Sequence, residues 1–361
     1  MQKIKTALFG ATGMVGQRLI CLLENHPFFE VKVLLAGEKS AHRSYGEAIK
    51  GRWKMPCPIP DYVKNIEVRS LQNKSFALGE EVDLVFSAVS LSKEETKKAE
   101  EALAKEELIV VSCNSACRNE KDIPMLIPEI NLHHLAVLPL QTKRLGTKRG
   151  CIVTKPNCSI QSFVPPLTSL RELGIVGVAV STYQAVSGAG KKLPDMPEMT
   201  DNLIPFISGE EQKTEREPLK IWGEVKEDGI LPAAAPVISA HCVRVPISDG
   251  HTATVSVKFR TKPKMEDILS LWAEQKGITS LSHLPTAPGR LLSYDLSPDR
   301  PQPALDRTKD KGLTVSLGRL REDPLFDYKF VCLSHNTLRG AAGGALLCAE
   351  CLYDLGYFDS V

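Results

Sequence analysis

The residues of this chain that could do chemistry lie in short, separated stretches, and the most telling is Lys155, Pro156, Asn157, Cys158, Ser159. There a β-like run, 151–154, meets a helical pattern, 159–173. A cysteine at a helix start has its thiolate favoured by the helix dipole and by free backbone N–H groups, which double as an oxyanion hole. That is where a nucleophile belongs, although on spacing alone a buried structural cysteine is the commoner case. Further on, Gln184 ends a strand-like run before Ser187, Gly188, Ala189 and Gly190, a glycine-rich turn. His241, Arg244 and His251 flank strand edges in HCVRVPISDGH, and Glu210 and Lys213 belong to GEEQK. Taken singly, each has a plain alternative: a packed or exposed histidine, a turn after a strand, the solvated face of a helix.

A different chemistry is written near the start, in Gly10, Ala11, Thr12, Gly13, Met14, Val15, Gly16. Glycines permit a tight turn and let phosphate approach the N–H groups that open a helix. A lone GxxGxxG is weak, but this one sits between an apolar strand, 4–9, and a helix marked by Val15, Leu19, Leu22 and Leu23, with a second strand at 31–36. That is a βαβ unit for a dinucleotide. After the second strand come Glu38, Lys39, Ser40 and Arg43. Glu38 could bind a ribose hydroxyl, whereas Lys39, Ser40 and Arg43 could hold a 2'-phosphate, and the basic set favours NADP over NAD.

These stretches need a frame. Apolar runs at 82–88 and 108–112, with the charged amphipathic stretch 93–107 between them, extend the first unit into a doubly wound parallel sheet. The fold class is α/β: an N-terminal doubly wound Rossmann domain, residues 1–156, followed by an α+β domain, 157–335, that carries Cys158. The second domain carries β-rich runs at 176–186, 242–247, 252–259 and 313–317 with few helices, which reads as a mainly antiparallel sheet. Residues 286–311, rich in Pro, Arg and Asp, read as a long loop, and the small-residue stretch 336–355 as a closely packed helix that returns to complete the first domain as segment 336–361.

Composition bounds the partners. A chain of 361 residues suits two domains with a cleft between them. Its 43% hydrophobic and 24% charged residues include no apolar run long enough to span a bilayer, so no membrane partner is expected. A net charge of +2 gives no general field for nucleic acid. The first residues run directly into a strand pattern without a secretory signal, which points to a cytoplasmic protein whose ten cysteines stay reduced. Cys348 and Cys351 form a CxxC inside an apolar helical pattern with no second pair nearby, so no metal is expected there.

In order along the chain, GATGMVG, NSACRNEKDIPMLIPEIN, PNCS, YQAVSGAG, GEEQK, HCVRVPISDGH and SHNTLRGAAGG closely resemble the aspartate-semialdehyde dehydrogenases, in particular the archaeal and fungal branch. The resemblance implies Cys158 as nucleophile, His251 as acid/base and Gln184 orienting the substrate. It implies Arg244 on the substrate carboxylate, Glu210 on its amino group, and Asn114, Arg118 and Lys213 on phosphate. Cofactor contacts would come from Gly10, Thr12, Gly13, Met14, Val15, Gly16, Lys39, Ser40, Ser87, Ser187, Gly188 and Asn336. One departure is local: Cys113 and Cys117 flank the Asn114 and Ser115 positions.

The implied activity interconverts L-aspartyl 4-phosphate and L-aspartate 4-semialdehyde in the synthesis of lysine, threonine, methionine and isoleucine, in a homodimer or homotetramer. Thiolate addition to an aldehyde, hydride transfer to NADP and phosphorolysis of the thioester make a consistent series. His251 near an ordinary imidazole value of ~6.5 would take the thiol proton. Two other readings remain at this stage: a malonyl-CoA or succinyl-CoA reductase on the same fold, for which Glu210 would lack an amino group to meet, and a nucleotide-sensing regulator without turnover.

Overall fold

A computed structural model describes residues 2–72 and 78–359. Strand β1 (Ile4–Phe9) leads through the glycine turn into α1 (Met14–Leu23), which buries Leu19, Ile20 and Leu23. Strand β2 (Phe29–Ala36) returns parallel to β1. With β3 (Val68–Ser70), β4 (Leu84–Ser87), β5 (Ile109–Ser112) and β6 (Cys151–Thr154) they form a parallel sheet of order β3-β2-β1-β4-β5-β6. Helix α2 (Lys93–Lys105) crosses between β4 and β5, its start fixed by a capping box of Ser92 and Glu95. The strand order reverses between β1 and β4, and doubly wound sheets bind ligands outside the carboxyl ends of such strands. The glycine loop leaves β1 at that point, and Ser87 ends β4.

The second sheet is built from β7 (Ile175–Gln184), β8 (Val237–Arg244), β9 (His251–Phe259), β10 (Leu292–Asp295), β11 (Val315–Glu322) and β12 (Tyr328–Ser334) in the order β8-β7-β9-β12-β11-β10. It is mixed: β8 with β7 and β10 with β11 run parallel, and the central pairings are antiparallel. Helix α3 (Glu210–Ile221) lies against β8. The chain ends with α4 (Gly343–Asp354), entered through one π-helical turn at Leu338–Ala342. Ala345, Leu346, Ala349 and Leu352 of α4 join Leu8, Phe29 and Phe86 in the core of the first sheet. Residues 360 and 361 of the expected closing segment fall outside the described residues. Among the described residues no helix is long and apolar enough to cross a membrane.

Three expectations are corrected. The helical pattern 159–173 is broken into a 3₁₀ turn at Ser159–Gln161, a short α-helix at Val164–Ser169 and a second 3₁₀ turn at Arg171–Leu173. Pro165 and Pro166 lack the N–H groups that a continuous ladder from Cys158 would need. Cys158 therefore heads a single turn, not a long helix with a dipole. The loop expected at 286–311 contains β10 and a short helix, Pro303–Asp306; only Leu292 of β10 is fully buried, and pairing with β11 holds the strand. The strand expected at 242–247 starts earlier, at Val237, and β12 is an additional strand whose partners are distant in sequence.

Candidate active site

Cys158 follows β6 by four residues, and His251 is the first residue of β9. The two sheets bring Cys158 Sγ within 3.3 Å of His251 Nε2. The other ring nitrogen, Nδ1, accepts the Ala185 backbone N–H at 3.1 Å. An N–H aimed at Nδ1 requires that nitrogen to be bare, so the neutral ring carries its proton on Nε2, facing the sulfur. Burial first, and then Arg244, hold the His251 imidazole well below its ordinary value. This departs from the ordinary imidazole expected from sequence, and it makes imidazolium expensive here.

The thiol is not pre-ionised by a helix. Burial pushes Cys158 up, the Glu210 carboxylate adds to this, and Lys155, Arg118 and Arg244 oppose it. Lys155 is itself pushed down to about 8, chiefly by burial and next by Arg118, and its ammonium donates to the Pro156 carbonyl. Sequence reading quotes Lys155 only as part of the cysteine motif; a lysine closing a buried strand three residues before a nucleophile is the signal that could have marked it. Gly188 packs directly on the pair: a Cβ there would stand 2.8 Å from Arg244 Nη1 and 3.1 Å from His251 Cε1. From the other side, the Leu338–Ala342 turn brings Gly340 so close that its Cβ would fall 2.7 Å from Cys158 Cβ.

Glu210, the first residue of α3, is the hub of the polar groups. It accepts from Asn157 Nδ2 at 2.9 Å, Gln184 Nε2 at 3.2 Å and Lys213 Nζ at 2.8 Å. Burial raises its carboxyl, but Lys213, Asn157 and Gln184 outweigh this and hold it below the usual range. Arg244 pairs in register with Gln184 across β8 and β7, and its Nη1 donates to Ala185 O at 2.7 Å. Arg118 donates from Nη1 to Glu217 at 2.9 Å and from Nη2 to Cys113 O at 2.9 Å, while its buried Nε has no partner among the described residues. Glu217 also accepts the Asn157 backbone N–H at 2.6 Å, tying the cysteine loop to the arginine. Glu217 is passed over by the sequence reading, and Asn157 is quoted there only as part of the cysteine motif.

A cavity of about 290 Å³ runs between the sheets, lined by Val15, Asn114, Arg118, Cys158, Glu210 and Lys213, and further by Ser187, Gly188 and Asn336. It joins the glycine loop to the nucleophile. Asn114 Nδ2 is held by Ser87 Oγ at 2.9 Å and Glu100 at 3.0 Å, and Asn336 donates to Ser187 Oγ at 2.8 Å. Lys39 is exposed beyond β2, and Ser40 accepts from Arg52 Nη2 at 2.9 Å. Arg52 is a basic group near the cofactor loop that sequence reading passes over. His241 is exposed on β8, away from the pair. A larger hollow, about 770 Å³ beside Trp272 and Tyr294, is lined by no cysteine or histidine.

Two family profiles match separate parts of the chain. Residues 5–138 match the semialdehyde dehydrogenase NAD binding domain and residues 166–339 the semialdehyde dehydrogenase dimerisation domain. The chain is 39% identical to the aspartate-semialdehyde dehydrogenase of Archaeoglobus fulgidus, over 96% of this chain and 97% of that protein. The Methanothermobacter thermautotrophicus relative is 40% identical, covering 98% and 99%. The chain belongs to the aspartate-semialdehyde dehydrogenase family. It is thus placed among oxidoreductases, and the fungal side of the family is equally near: the Saccharomyces cerevisiae relative is 39% identical over 96% of each chain. The crystal structure of aspartate semialdehyde dehydrogenase with NADP from Candida albicans superposes with a TM-score of 0.85 at 35% identity, covering 99% of this chain and 100% of that one. A Vibrio cholerae structure complexed with ASA shares the fold, with a TM-score of 0.73 at 24% identity over 98% and 99% of the two chains.

Proposed function

We propose that this chain interconverts L-aspartyl 4-phosphate and L-aspartate 4-semialdehyde, NADP-dependently, through a thioester on Cys158. The observation that carries the reading is the Cys158 Sγ to His251 Nε2 contact of 3.3 Å, at the wall of a cavity that also holds Arg118, Lys213 and Glu210. Residues 1–156 with 336–361 make the cofactor half and 157–335 the catalytic half.

The glycine loop fits a dinucleotide. Gly10 has φ +101°, and a Cβ there would stand 2.4 Å from Ala88 O, so only glycine allows this path. The first turn of α1 has no side-chain cap, leaving its N–H groups for phosphate. Gly10, Thr12, Gly13, Met14, Val15 and Gly16, with Ser87, Ser187, Gly188 and Asn336, would hold the cofactor, and Lys39, Ser40 and Arg52 its 2'-phosphate. When bound, NADP supplies the hydride acceptor.

Cys158 releases its thiol proton to water, its Sγ attacks the aldehyde carbon, and the carbonyl oxygen gains the negative charge of an alkoxide. His251 holds a proton at Nε2 and donates it as a hydrogen bond, first to the thiolate and then to that oxygen. Taking a proton at Nε2 would require the ring to give up the Ala185 N–H, so the geometry favours the donor half of the acid/base role. Arg244 is a forked donor suited to the substrate carboxylate, and Glu210 the anion suited to its amino group. The unpartnered Nε of Arg118, with Asn114 and Lys213, suits the phosphate that cleaves the thioester. Acyl-CoA reductase and regulatory readings gain no support, since the relatives at 35–40% identity are named aspartate-semialdehyde dehydrogenases. A homodimer or homotetramer in the cytoplasm completes the proposal, resting for assembly on the dimerisation-domain match.

The test is a steady-state assay of L-aspartate 4-semialdehyde with phosphate and NADP, run beside malonyl-CoA and succinyl-CoA with NADPH. Turnover confined to the semialdehyde is expected; turnover confined to an acyl-CoA would overturn the reading.

A further inference from the structure

Outside the active site, two cysteines that are 36 residues apart in sequence meet: Cys21 Sγ on α1 lies 3.1 Å from Cys57 Sγ. Sulfurs in a disulfide stand about 2.0 Å apart, so closure needs a shift of roughly 1 Å. Both are free thiols; Cys57 is exposed and Cys21 half-buried, whereas Cys117, Cys151, Cys242, Cys332, Cys348 and Cys351 are sealed in the cores. Cys57 lies between Pro56 and Pro58, whose rings fix the backbone on both sides and hold the thiol toward its partner. We propose that Cys21 and Cys57 are a site of reversible oxidative modification, closing to an intrachain disulfide when the protein meets a peroxide.

The chemistry balances in two steps. The exposed Cys57 thiol gives two electrons to the peroxide, forming Cys57 sulfenic acid and, from hydrogen peroxide, one water. The Cys21 sulfur then attacks the Cys57 sulfur, expelling a second water and forming the S–S bond; the Cys21 thiol proton leaves with that water. Burial, followed by the Cys57 hydrogen bond, pushes the Cys21 thiol up to about 12, so the exposed Cys57 meets the peroxide first and Cys21 follows, losing its proton as the S–S bond forms. Exchange with an external dithiol returns the pair to thiols.

The pair is wired to the cofactor loop. The Lys54 backbone N–H donates to Gln17 Oε1 at 2.7 Å, and Gln17 Nε2 donates to Thr12 O at 2.9 Å and Arg52 O at 3.2 Å. Lys54 Nζ reaches Gly190 O at 2.6 Å in the turn after Gly188, and Trp53 Nε1 binds Cys57 O at 2.5 Å. Drawing Cys57 onto α1 pulls on this segment, and through Gln17 on the glycine turn itself. Oxidation therefore weakens cofactor binding.

The test uses the full chain carrying Cys158→Ala, so that oxidation of the nucleophile does not intrude. After hydrogen peroxide and then iodoacetamide, intact mass should fall by two hydrogens, and digestion should give one linked pair of peptides containing Cys21 and Cys57. Dithiothreitol should reverse both, and Cys57→Ser should abolish them. Cys57 recovered as sulfinate with Cys21 alkylated, or both recovered alkylated at peroxide levels that oxidise Cys158 in the parent chain, would overturn the proposal. In a second arm, NADP titration of the oxidised protein should show affinity reduced by about threefold or more relative to the reduced protein. An unchanged Kd in fully linked protein would overturn the coupling. That arm rests on the NADP reading; failure of the reduced protein to bind NADP would break that reading, while linkage is still read by mass.

Discussion

The glycine loop is made of consecutive residues, 10–16, whereas the cluster around Cys158 gathers Gln184 from the end of β7, Glu210 from the start of α3, Arg244 from the end of β8 and His251 from the start of β9. The loop is a local object whose shape follows from where glycine is required. The cluster exists only because β7 and β8 run parallel in a register that puts Gln184 opposite Arg244, and because β9 begins beside them. One part should therefore fail by backbone strain and the other by loss of individual side chains.

The sharpest way to separate the two is a pair of variants. Cys158→Ala should abolish turnover while NADP affinity stays within about twofold of the parent, because no part of the loop changes. Gly10→Ala should do the reverse. It forces a Cβ against Ala88 O at positive φ, and is expected to destabilise the fold by about 1–3 kcal/mol and to weaken NADP binding, with the Cys158 thiol still open to alkylation. Loss of cofactor binding in Cys158→Ala, measured by fluorescence titration, would show that the halves are not separable.

Next in size is the carboxylate fork. Arg244→Lys keeps charge but loses bidentate geometry, so kcat should fall and KM for the semialdehyde rise together, by roughly tenfold to a hundredfold in kcat/KM. Lys213→Ala should chiefly raise KM for phosphate. Because Lys213 is also the ion partner of Glu210, a smaller rise in semialdehyde KM should accompany it. An effect of Lys213→Ala on the semialdehyde alone would reverse the assignment of the two ends.

A smaller effect reads the electrostatics of the nucleophile. Since burial holds the Cys158 thiol up, its alkylation rate should rise with pH through a midpoint above the ordinary cysteine range. Lys155, still largely charged below about pH 8, favours the thiolate there, so Lys155→Met should slow alkylation at neutral pH. An unchanged rate at neutral pH would remove Lys155 from the site. The smallest change is expected at the far end of the cofactor: Lys39→Ala should cut the preference for NADP over NAD by about threefold to tenfold, checked as the ratio of kcat/KM values. Equal use of both cofactors by the parent chain would instead point to Glu38, whose carboxylate accepts from Ser70 Oγ.

Five of the six strands of the first sheet were legible because they are apolar runs punctuated by turns, while the three-residue β3, Val68–Ser70, is too short to show a period, and the seven motifs marked most of the polar cluster. The fragmentation after Cys158 was hidden because Pro165 and Pro166 are tolerated in the first turn of the short helix Val164–Ser169 without erasing the apolar period. Strand β10 was hidden because only Leu292 of it is fully buried, and its pairing partner lies more than twenty residues further on. At the site, residue types were readable but protonation was not. The bare Nδ1 of His251 depends on the backbone N–H of Ala185, which no side-chain pattern encodes. The depressed Lys155 depends on complete burial beside Arg118.

The most direct test of the thioester is a single turnover without phosphate. Protein mixed with L-aspartate 4-semialdehyde and NADP should give a burst of NADPH approaching one per Cys158, and rapid acid quench should show the aspartyl mass on the peptide holding Cys158, discharged by added phosphate. A burst with the acyl group on Cys113, or a burst with no acyl protein at all, would contradict it.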